Sequence, residues 1–327
     1  MRSVSVGRAL AYGLALFALN SCSSATQPII DNSGATHPAG NLSTRINGLS
    51  GRPFAVRVSS AGVVYATQQD ANSVASFNLA DATTGPSVAV GADPGDVVFT
   101  RNGAKAFVSA FNGGSIHVID VASSRQTASI PVSSNAYRLV LSSDESTLFV
   151  SSTDGRVYTV SSSGERVTGS VQLGGAIQGL ALSPSGASLL ACSTNGSIWL
   201  LDATTLKILA SGVPGGHLQD VAFSKNASEI YVASEDGWVD VLDGSSLQRI
   251  GRITLDGMAP FGLAVTPDDV QLYVTSPLSG QLAIIDRGTR TLKQTIRVSD
   301  VPRRVAFNST GSIAVVANEG NWVDLIR

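Results

Sequence analysis

The sequence contains few of the residues from which catalytic and metal sites are built. In 327 residues there are two cysteines and three histidines, and charged residues make up 14%. Two cysteines cannot make a disulfide framework, and His37, His117 and His217 lack the close spacing of metal ligands. Neither the G-x-S-x-G nucleophile elbow nor the phosphate-binding G-x-x-x-x-G-K-[ST] loop occurs. We therefore expect no catalytic motif, no metal and no cofactor.

Basic residues and long apolar runs are also scarce. Lys and Arg total 22 against 24 for Asp and Glu, which gives a net charge of −2. A protein that holds nucleic acid by its phosphates needs a basic surface, so no nucleic-acid partner is expected. The apolar stretch at 9–19 has eleven residues, which is too short for a helix that spans a bilayer.

The N-terminus has the pattern of an export signal. Arg2 and Arg8 flank the start of the chain, and the apolar stretch that follows ends in Leu19-Asn20-Ser21-Cys22. This ending resembles the lipobox of bacterial lipoproteins, in which the cysteine receives the lipid. The resemblance implies a lipoprotein signal peptide over 1–21, lipidation of Cys22 and a flexible tether over 22–40. The alternative is cleavage after Ala25, which would release a soluble exported protein.

One pattern repeats along residues 41–327 and indicates the architecture. A β-like run closes with a polar or acidic residue at intervals of 42, 41, 41, 41, 43 and 41 residues, at Asn78, Asp120, Ser161, Asp202, Asp243, Asp286 and Arg327. A fixed period near 40 with strand signals alone is typical of a β-propeller with one four-stranded blade per repeat. The sequence predicts an all-β, seven-bladed β-propeller of antiparallel blades.

The strands within each repeat can be placed from their composition. The first is an apolar run such as Val97-Val98-Phe99, as expected for an inner strand that is covered by blades on both faces. The outer strand is more polar, and the seventh repeat lacks one because the chain ends at Arg327. Residues 41–48 have a sequence similar to the outer strands of the later repeats. We therefore expect them to complete the last blade and close the ring.

Several individual residues allow two interpretations. Asp144, Glu145, Asp268 and Asp269 fall in predicted turns without the spacing of a calcium loop, which favours turn chemistry. Cys192 stands in a predicted strand, where a small buried side chain is favoured over a reactive thiol. Trp199, Trp238 and Trp322 occupy related places in third strands, which favours packing between blades over a ligand platform.

The second strands carry a family resemblance. Tyr273-Val274-Thr275-Ser276, Tyr231-Val232-Ala233-Ser234 and Val315-Val316-Ala317-Asn318 are variants of one motif, and the segments 260–268 and 118–120 fit the same repeat. Nearly all of 41–327 resembles the YVTN family of β-propellers, found in exported bacterial proteins and archaeal surface-layer proteins. These motifs are packing and turn positions, so the resemblance implies the fold and no catalytic residue.

One end of the predicted channel collects aromatic and charged residues. Ligands of propellers usually bind at a channel mouth, where loops enter the inner strands, and aromatic and Arg side chains are typical of binding surfaces. The candidate ligand-binding rim consists of Phe54, Asp96, Tyr137, Arg138, His217, Gln219, Asp220, Phe261, Arg303 and Arg304. Asp70, Glu235, Asp236 and Glu319 belong to companion loops on the same face. The alternative is that these side chains cap strands or pair with one another.

The expected function is non-enzymatic ligand or protein binding at this mouth. The export signal places the protein on the periplasmic side of a bacterial membrane or on the cell surface, held by its N-terminal lipid, with a protein or glycan partner in the cell envelope. A second function stays open because fold alone does not confer function. Related propellers include lactonases of the 6-phosphogluconolactonase type and some lyases. In such an enzyme Arg138, Arg303 and Arg304 would hold an anion, and His217 or Asp220 would be the base.

Overall fold

All regular structure in the described part of the chain is β-strand. The structure, a computed structural model, describes residues 37–132 and 135–327. Over these ranges the chain forms 28 strands in seven four-stranded sheets, and none of it is a helix long and apolar enough to cross a membrane. The predicted signal peptide, Cys22 and the tether as far as residue 36 lie outside the described residues.

The sheets are seven antiparallel blades, and the chain enters each of blades 1–6 at its inner strand. β1 (Leu42–Asn47) precedes them and belongs to the last blade. Blade 1 contains β2 (Pro53–Val58), β3 (Val63–Gln68), β4 (Ser73–Asn78) and β5 (Val88–Ala89), and blade 2 contains β6 (Pro94–Phe99), β7 (Lys105–Ala110), β8 (Ser115–Asp120) and β9 (Arg125–Pro131). Blade 3 contains β10 (Ala136–Leu141), β11 (Thr147–Ser152), β12 (Arg156–Ser161) and β13 (Arg166–Gln172), and blade 4 contains β14 (Ile177–Leu182), β15 (Ser188–Ser193), β16 (Ile198–Asp202) and β17 (Ile208–Gly212). Blade 5 contains β18 (Leu218–Phe223), β19 (Glu229–Ser234), β20 (Trp238–Asp243) and β21 (Arg249–Thr254), and blade 6 contains β22 (Leu263–Val265), β23 (Gln271–Ser276), β24 (Gln281–Asp286) and β25 (Thr291–Arg297). Blade 7 contains β26 (Pro302–Phe307), β27 (Ala314–Asn318) and β28 (Trp322–Ile326), and its sheet order β1-β28-β27-β26 takes the fourth strand from the N-terminal side.

The hydrophobic core is divided among the seven blade interfaces. Each of seven apolar clusters joins two neighbouring blades, including the pair formed by blades 7 and 1. The Tyr273 ring, for example, packs in one cluster with Val305 of blade 7. Cys192 lies in the cluster between blades 4 and 5, where burial raises the pKa of its thiol to about 12. A blade buries its faces only against its neighbours, so the seven-bladed, all-β prediction is confirmed together with the buried role of Cys192.

The two ends of the chain close the ring within one sheet. β1 pairs antiparallel with β28, in a register that places Arg45 opposite Asp324. Asn41 and Arg327 continue this pairing with N–H···O distances of 2.8 and 2.9 Å. The prediction that residues 41–48 complete the last blade is confirmed. The pairing covers a strand edge of β28 that would otherwise be open to other chains.

A buried aspartate fastens the closing strand. Arg45 Nε lies 2.7 Å from Asp324 Oδ1, and the Asp324 side chain has no exposed surface. The Arg45 guanidinium also lies 4.2 Å from the centre of the Trp322 ring, which adds a cation–π contact. Burial raises the pKa of Asp324, and its contacts with Arg45 and Trp322 act in the opposite direction. The closing strand therefore supplies the cation that keeps a buried carboxylate compensated.

Blade 5 contains the same three-residue arrangement within a single hairpin. Arg252 Nε and Nη2 lie 2.7 and 2.8 Å from the two carboxylate oxygens of Asp240, and the guanidinium lies 4.0 Å from the centre of the Trp238 ring. Trp199 differs, because it pairs with Ala191 and is buried in the cluster between blades 3 and 4. Packing between blades is thus the role of Trp199, whereas Trp238 and Trp322 stack against arginines.

Aspartates end several third strands and hold the turns that follow. The hydroxyl and N–H of Thr205 donate to Asp202 Oδ1 over 2.8 and 2.7 Å, and they lower the pKa of that carboxyl. In the first turn of blade 3, the Ser142 hydroxyl and then the N–H and hydroxyl of Ser146 lower the pKa of Asp144 to about 2. These carboxylates are occupied by turn hydrogen bonds, as the sequence predicts.

The end of the predicted tether lies against blade 6. His37 Nδ1 is 2.5 Å from Asp268 Oδ2. The Tyr273 hydroxyl donates to the carbonyl of Pro38 over 3.2 Å, and Gln294 Nε2 donates to the carbonyl of Gly40 over 2.8 Å. Contacts with the propeller therefore begin by residue 37, within the segment that the sequence assigns to the tether.

Loss of the closing cation should destabilise the whole ring. Arg45→Met is expected to lower the free energy of unfolding by about 2–4 kcal/mol, because Asp324 is then buried without a positive partner. Urea denaturation of the full chain measures this change. Arg297→Met, on the exposed outer strand of blade 6, is the control and should change it by less than about 0.5 kcal/mol. Equal, small effects of the two substitutions would contradict this role for Arg45.

Candidate functional site at the channel mouth

A bulge in the inner strands positions the charged side chains of the channel. In six of the seven blades the register between the first and second strands shifts near the start of the inner strand. Backbone groups at such a shift lose their ladder partners. In blades 2 and 3 a hydroxyl replaces the partner, since Asp96 N donates to Ser109 Oγ and Arg138 N donates to Ser151 Oγ, both over 2.9 Å. These bonds hold the backbone from which two of the predicted rim residues extend.

Five charged side chains from five blades form a connected set, which we call the channel ion-pair chain. Its members are Arg57, Asp96, Arg138, Asp220 and Arg304, from blades 1, 2, 3, 5 and 7. Arg57 Nη2 lies 3.6 Å from Asp96 Oδ1, and Arg138 Nη1 lies 3.1 Å from Asp96 Oδ2. Asp220 receives Arg138 Nη2 at 3.0 Å and Arg304 Nη1 at 2.7 Å. The two pairs at Asp220 each skip one blade, so these side chains cross the channel.

The two aspartates also bond the backbone of the next blade. Asp96 Oδ2 accepts from Leu139 N, and Asp220 Oδ2 accepts from Leu263 N, each over 3.1 Å. Each carboxylate also accepts from the N–H of the residue that follows it. Each carboxylate thus accepts three hydrogen bonds, two from N–H groups and one from Arg138, and has a second guanidinium group beside it. The aspartates therefore join neighbouring inner strands.

Burial and charge act in opposite directions on the titration of this set. Burial raises the pKa of Asp96, but the guanidinium groups of Arg57, Arg138 and Arg304 outweigh it and hold the pKa below its ordinary value. Burial lowers the pKa of Arg304, but Asp220 and its neighbours outweigh it and the pKa is raised. The stabilisation by Asp96 is therefore complete above its unfolded pKa and is lost as the pH falls through its lower folded pKa.

Aromatic side chains lie between the ion-pair chain and the loops of the mouth. Phe54, Phe111, Tyr137 and Phe261 form this group, which we call the aromatic cap. The Phe54 ring centre lies 5.9 Å from those of both Tyr137 and Phe261, and Phe111 lies 5.8 Å from Tyr137. The Tyr137 hydroxyl is 3.5 Å from Arg304 Nη2, which links the cap to the charges below it. The Arg304 guanidinium lies 4.9 Å from the centre of the Phe261 ring and 5.7 Å from that of Tyr137, so the cap covers the charged groups on this side.

Arg303 lies on the cap and connects it to the surrounding loops. Its guanidinium is 4.7 Å from the centre of the Phe261 ring and 5.5 Å from that of Phe54. Its Nε lies 2.6 Å from Glu319 Oε1. Arg52, in the neighbouring loop, lies 2.8 Å from Asp70 Oδ1. The accessible charges at this part of the mouth are thus paired across loops.

The structure brings most of the predicted rim together but buries it. Eight of the ten residues are buried: Phe54, Asp96, Tyr137, Arg138, Gln219, Asp220, Phe261 and Arg304. Arg303 and His217 remain accessible, with 23% and 47% of their side chains exposed. His217 Nδ1 lies 2.7 Å from Glu235 Oε2, in the loops of blade 5. In the structure most of the charged side chains of the predicted rim pair with other side chains. This is the alternative that the sequence leaves open.

Sequence reasoning missed two members of this site. Arg57 is hidden in the apolar run Val56-Arg57-Val58, and the other blades carry Val or Ala at its position, from Val98 to Ala306. A single charge within an otherwise apolar inner strand is the signal that could have identified it. Phe111 lies in a loop after the second strand of blade 2, and its sequence neighbours give no comparable signal.

The loops of the mouth face carry mainly negative charge. They connect outer to inner strands and second to third strands, and antiparallel order places all of them on one side of the ring. Their carboxylates are Asp70, Asp93, Asp154, Glu235, Asp236, Asp256, Asp300 and Glu319, and Arg52 is their basic residue among the described positions. Val213 and Leu278 are each 75% exposed on the same face. This surface combines acidic groups with exposed apolar side chains.

The fold and the site define a seven-bladed β-propeller whose channel holds a buried ion-pair chain. Its fold is similar to that of a chain of hydrazine synthase from Kuenenia stuttgartiensis, with a TM-score of 0.79 and 19% sequence identity, covering 85% of this chain and 96% of that chain. At this identity the likeness concerns the fold alone. No protein-family model and no curated protein sequence matches the chain.

Removal of one arginine should expose the energetic importance of the ion-pair chain. Arg304→Met is expected to lower the free energy of unfolding by about 3–5 kcal/mol, because Asp220 loses a buried partner. Urea denaturation provides the measurement, with the double variant Arg304→Met/Asp220→Asn for comparison. The double variant should lose less than the sum of the two single variants, since the residues interact directly. Additive or negligible losses would show that the pair contributes little.

Proposed function

We propose that this protein is a non-enzymatic binding propeller of the bacterial cell envelope. In this proposal it is exported, tethered to a membrane through a lipid on Cys22, and binds a protein or glycan partner with the loops of its channel mouth. The sequence pattern at 1–22 supports the export and the tether. The propeller fold supports the role as a scaffold, because its loops are presented by a rigid ring of sheets.

One observation supports the proposal that the partner binds to the surface of the mouth loops and not inside the channel. Four charged residues of the predicted rim, Asp96, Arg138, Asp220 and Arg304, are bound to one another beneath the aromatic cap. Asp220, a candidate base from the sequence, accepts hydrogen bonds from Arg138 and from two backbone N–H groups, and it is ion-paired with Arg304, so it is committed to buried partners. The groups left for a ligand are the loop side chains around the mouth. A macromolecular partner can reach these groups without entering the channel.

The acidic charge and the exposed apolar side chains of the mouth loops indicate which class of partner they can bind. Its excess of carboxylates repels phosphate backbones, which supports the expectation that the partner is not a nucleic acid. Val213 and Leu278 expose apolar surface next to these carboxylates, and exposed apolar side chains of this kind are enriched where proteins bind one another. The proposed partner therefore contacts both loops, after β17 and after β23.

The binding surface can be tested with matched substitutions on opposite faces. The double variant Val213→Asp/Leu278→Asp should recover at least tenfold less partner than wild type, because a carboxylate then replaces apolar contact area. Recovery is measured by chemical cross-linking and pull-down of the full-length lipoprotein from detergent-solubilised membranes, and by co-sedimentation with purified peptidoglycan. Val270→Asp is the control, since Val270 is 42% exposed in a turn on the other face.

Two results would separate the parts of this proposal. Cys22→Ser should move the protein from the membrane fraction to the soluble fraction while its mouth still binds the partner. Equal recovery with the mouth variant and with Val270→Asp would place the binding surface elsewhere. Continued membrane association of Cys22→Ser would contradict the lipid tether.

A second candidate function rests on His217. Its imidazole is accessible and is held 2.7 Å from Glu235 Oε2, and a histidine oriented by a carboxylate can act as a general base. This pair favours, within the enzymatic alternative, a lactonase-type hydrolase or lyase that uses His217 rather than Asp220. In such an enzyme Arg138 and Arg304 would have to hold the anion of the substrate from beneath the aromatic cap. The cap lies between them and the accessible His217, and this arrangement disfavours the enzymatic alternative.

Lactone hydrolysis distinguishes the two functions. If binding is the function, wild type and His217→Ala should hydrolyse 6-phosphogluconolactone and simple lactones at the same rate as buffer. The measurement is the release of acid at neutral pH, followed with a pH indicator. Turnover by wild type that falls at least 100-fold in His217→Ala would establish the enzymatic alternative instead.

A further inference from the structure

The channel ion-pair chain does not balance its own charge. It contains three guanidinium groups, from Arg57, Arg138 and Arg304, and two carboxylates, from Asp96 and Asp220. Tyr137, which borders the set, stays neutral because burial raises the pKa of its hydroxyl. One positive charge is therefore left over in the interior of the ring. An uncompensated buried charge is costly unless a counter-charge lies nearby.

Several donors of the same arginines lack an acceptor. Arg138 Nε and Arg304 Nε are buried and have no hydrogen-bond partner in the described part of the chain. Arg304 Nη1 is close to Asp220 Oδ2 but is not aligned with it for a hydrogen bond. The two residues are 7% and 1% exposed. Buried donors of this kind are nearly always satisfied in proteins, by protein groups, by water or by a bound ion.

Arg57 lies in the half of its inner strand away from the cap. At its position blades 4, 5 and 6 carry the smaller Ala181, Ala222 and Ala264, which are half-buried and pack against the apolar clusters between blades. The Arg57 side chain itself is 25% exposed. A small solute can therefore reach the Arg57 side chain, the accessible member of the set. The cap excludes a ligand whose body would extend through the mouth.

We propose that a small monovalent anion, such as chloride, binds in the channel among the guanidinium groups of Arg57, Arg138 and Arg304. One negative charge neutralises the set, and the anion accepts hydrogen bonds from the donors that the aspartates leave free. A water molecule could accept the same bonds but would leave the charge in place. A divalent oxyanion would reverse the imbalance. The site lies beneath the cap and is separate from the proposed partner surface.

The proposal is tested by the dependence of stability on the identity of the anion. Full-length protein in detergent is heated at constant ionic strength while chloride replaces gluconate, a much bulkier monovalent anion. Chloride at tenfold its half-saturating concentration should raise the Tm of wild type by about 2–4 °C. Arg57→Met removes the excess charge, so its Tm should be insensitive to the exchange. Arg166→Met, at an exposed position of β13, should respond as wild type does.

A crystallographic experiment locates the ion. Crystals soaked in sodium bromide should show an anomalous peak within about 3.5 Å of guanidinium nitrogens in the channel, and Arg57→Met crystals should lack it. Equal Tm values in chloride and gluconate, or a chloride response retained by Arg57→Met, would overturn the proposal. So would a bromide peak without any chloride effect in solution, which would indicate binding at crystal concentration only.

Discussion

Buried charge that must be compensated is the constraint on which this structure depends most. Arg57, Asp96, Arg138, Asp220 and Arg304 come from five blades, and each of their pairs joins two different blades. Apolar clusters hold neighbouring blades together, but they act only between adjacent sheets. The ion-pair chain also joins blade 5 to blades 3 and 7, which are not its neighbours in the ring, through the two pairs at Asp220. The carboxylates of this set are committed to buried partners, whereas the loops around the mouth remain accessible.

The same constraint connects the channel to the closure of the ring. Guanidinium groups from blades 3 and 7 reach the single carboxylate of Asp220 only when all seven sheets surround one axis. That arrangement requires β1 to complete blade 7, where Arg45 compensates the buried Asp324. Charge compensation thus operates twice, once at the axis and once at the seam between the chain ends. Both depend on residues that are far apart in sequence, since Arg45 and Asp324 are 279 positions apart and Arg138 and Asp220 are 82 apart.

Sequence reasoning reached the fold and the composition of the site, and it failed at the pairing. The repeat ends at Asn78, Asp120 and Asp202 coincide with the ends of third strands, because turn chemistry is local and recurs with the blade. The sequence also predicts that Asp96, Arg138, Asp220 and Arg304 belong to the site, because each stands directly before the apolar run of an inner strand. The sequence does not predict which of these residues pair with one another. Arg138 pairs with residues 42 and 82 positions away, and the angles between blades decide which pairs form. Arg57 stayed hidden because its neighbours in the strand are apolar.

The ionisation of Asp96 in the folded protein tests this account most directly. Carbon-13 NMR of the side-chain carboxyl groups, assigned with Asp96→Asn, follows each carboxyl through an acid titration. The account predicts that the Asp96 resonance keeps the shift of a carboxylate well below the ordinary pKa of aspartate, until the protein unfolds. A resonance that titrates in the folded state at or above the ordinary value would mean that the arginines do not compensate it. The channel would then hold a protonated acid, and the ion-pair chain would not exist.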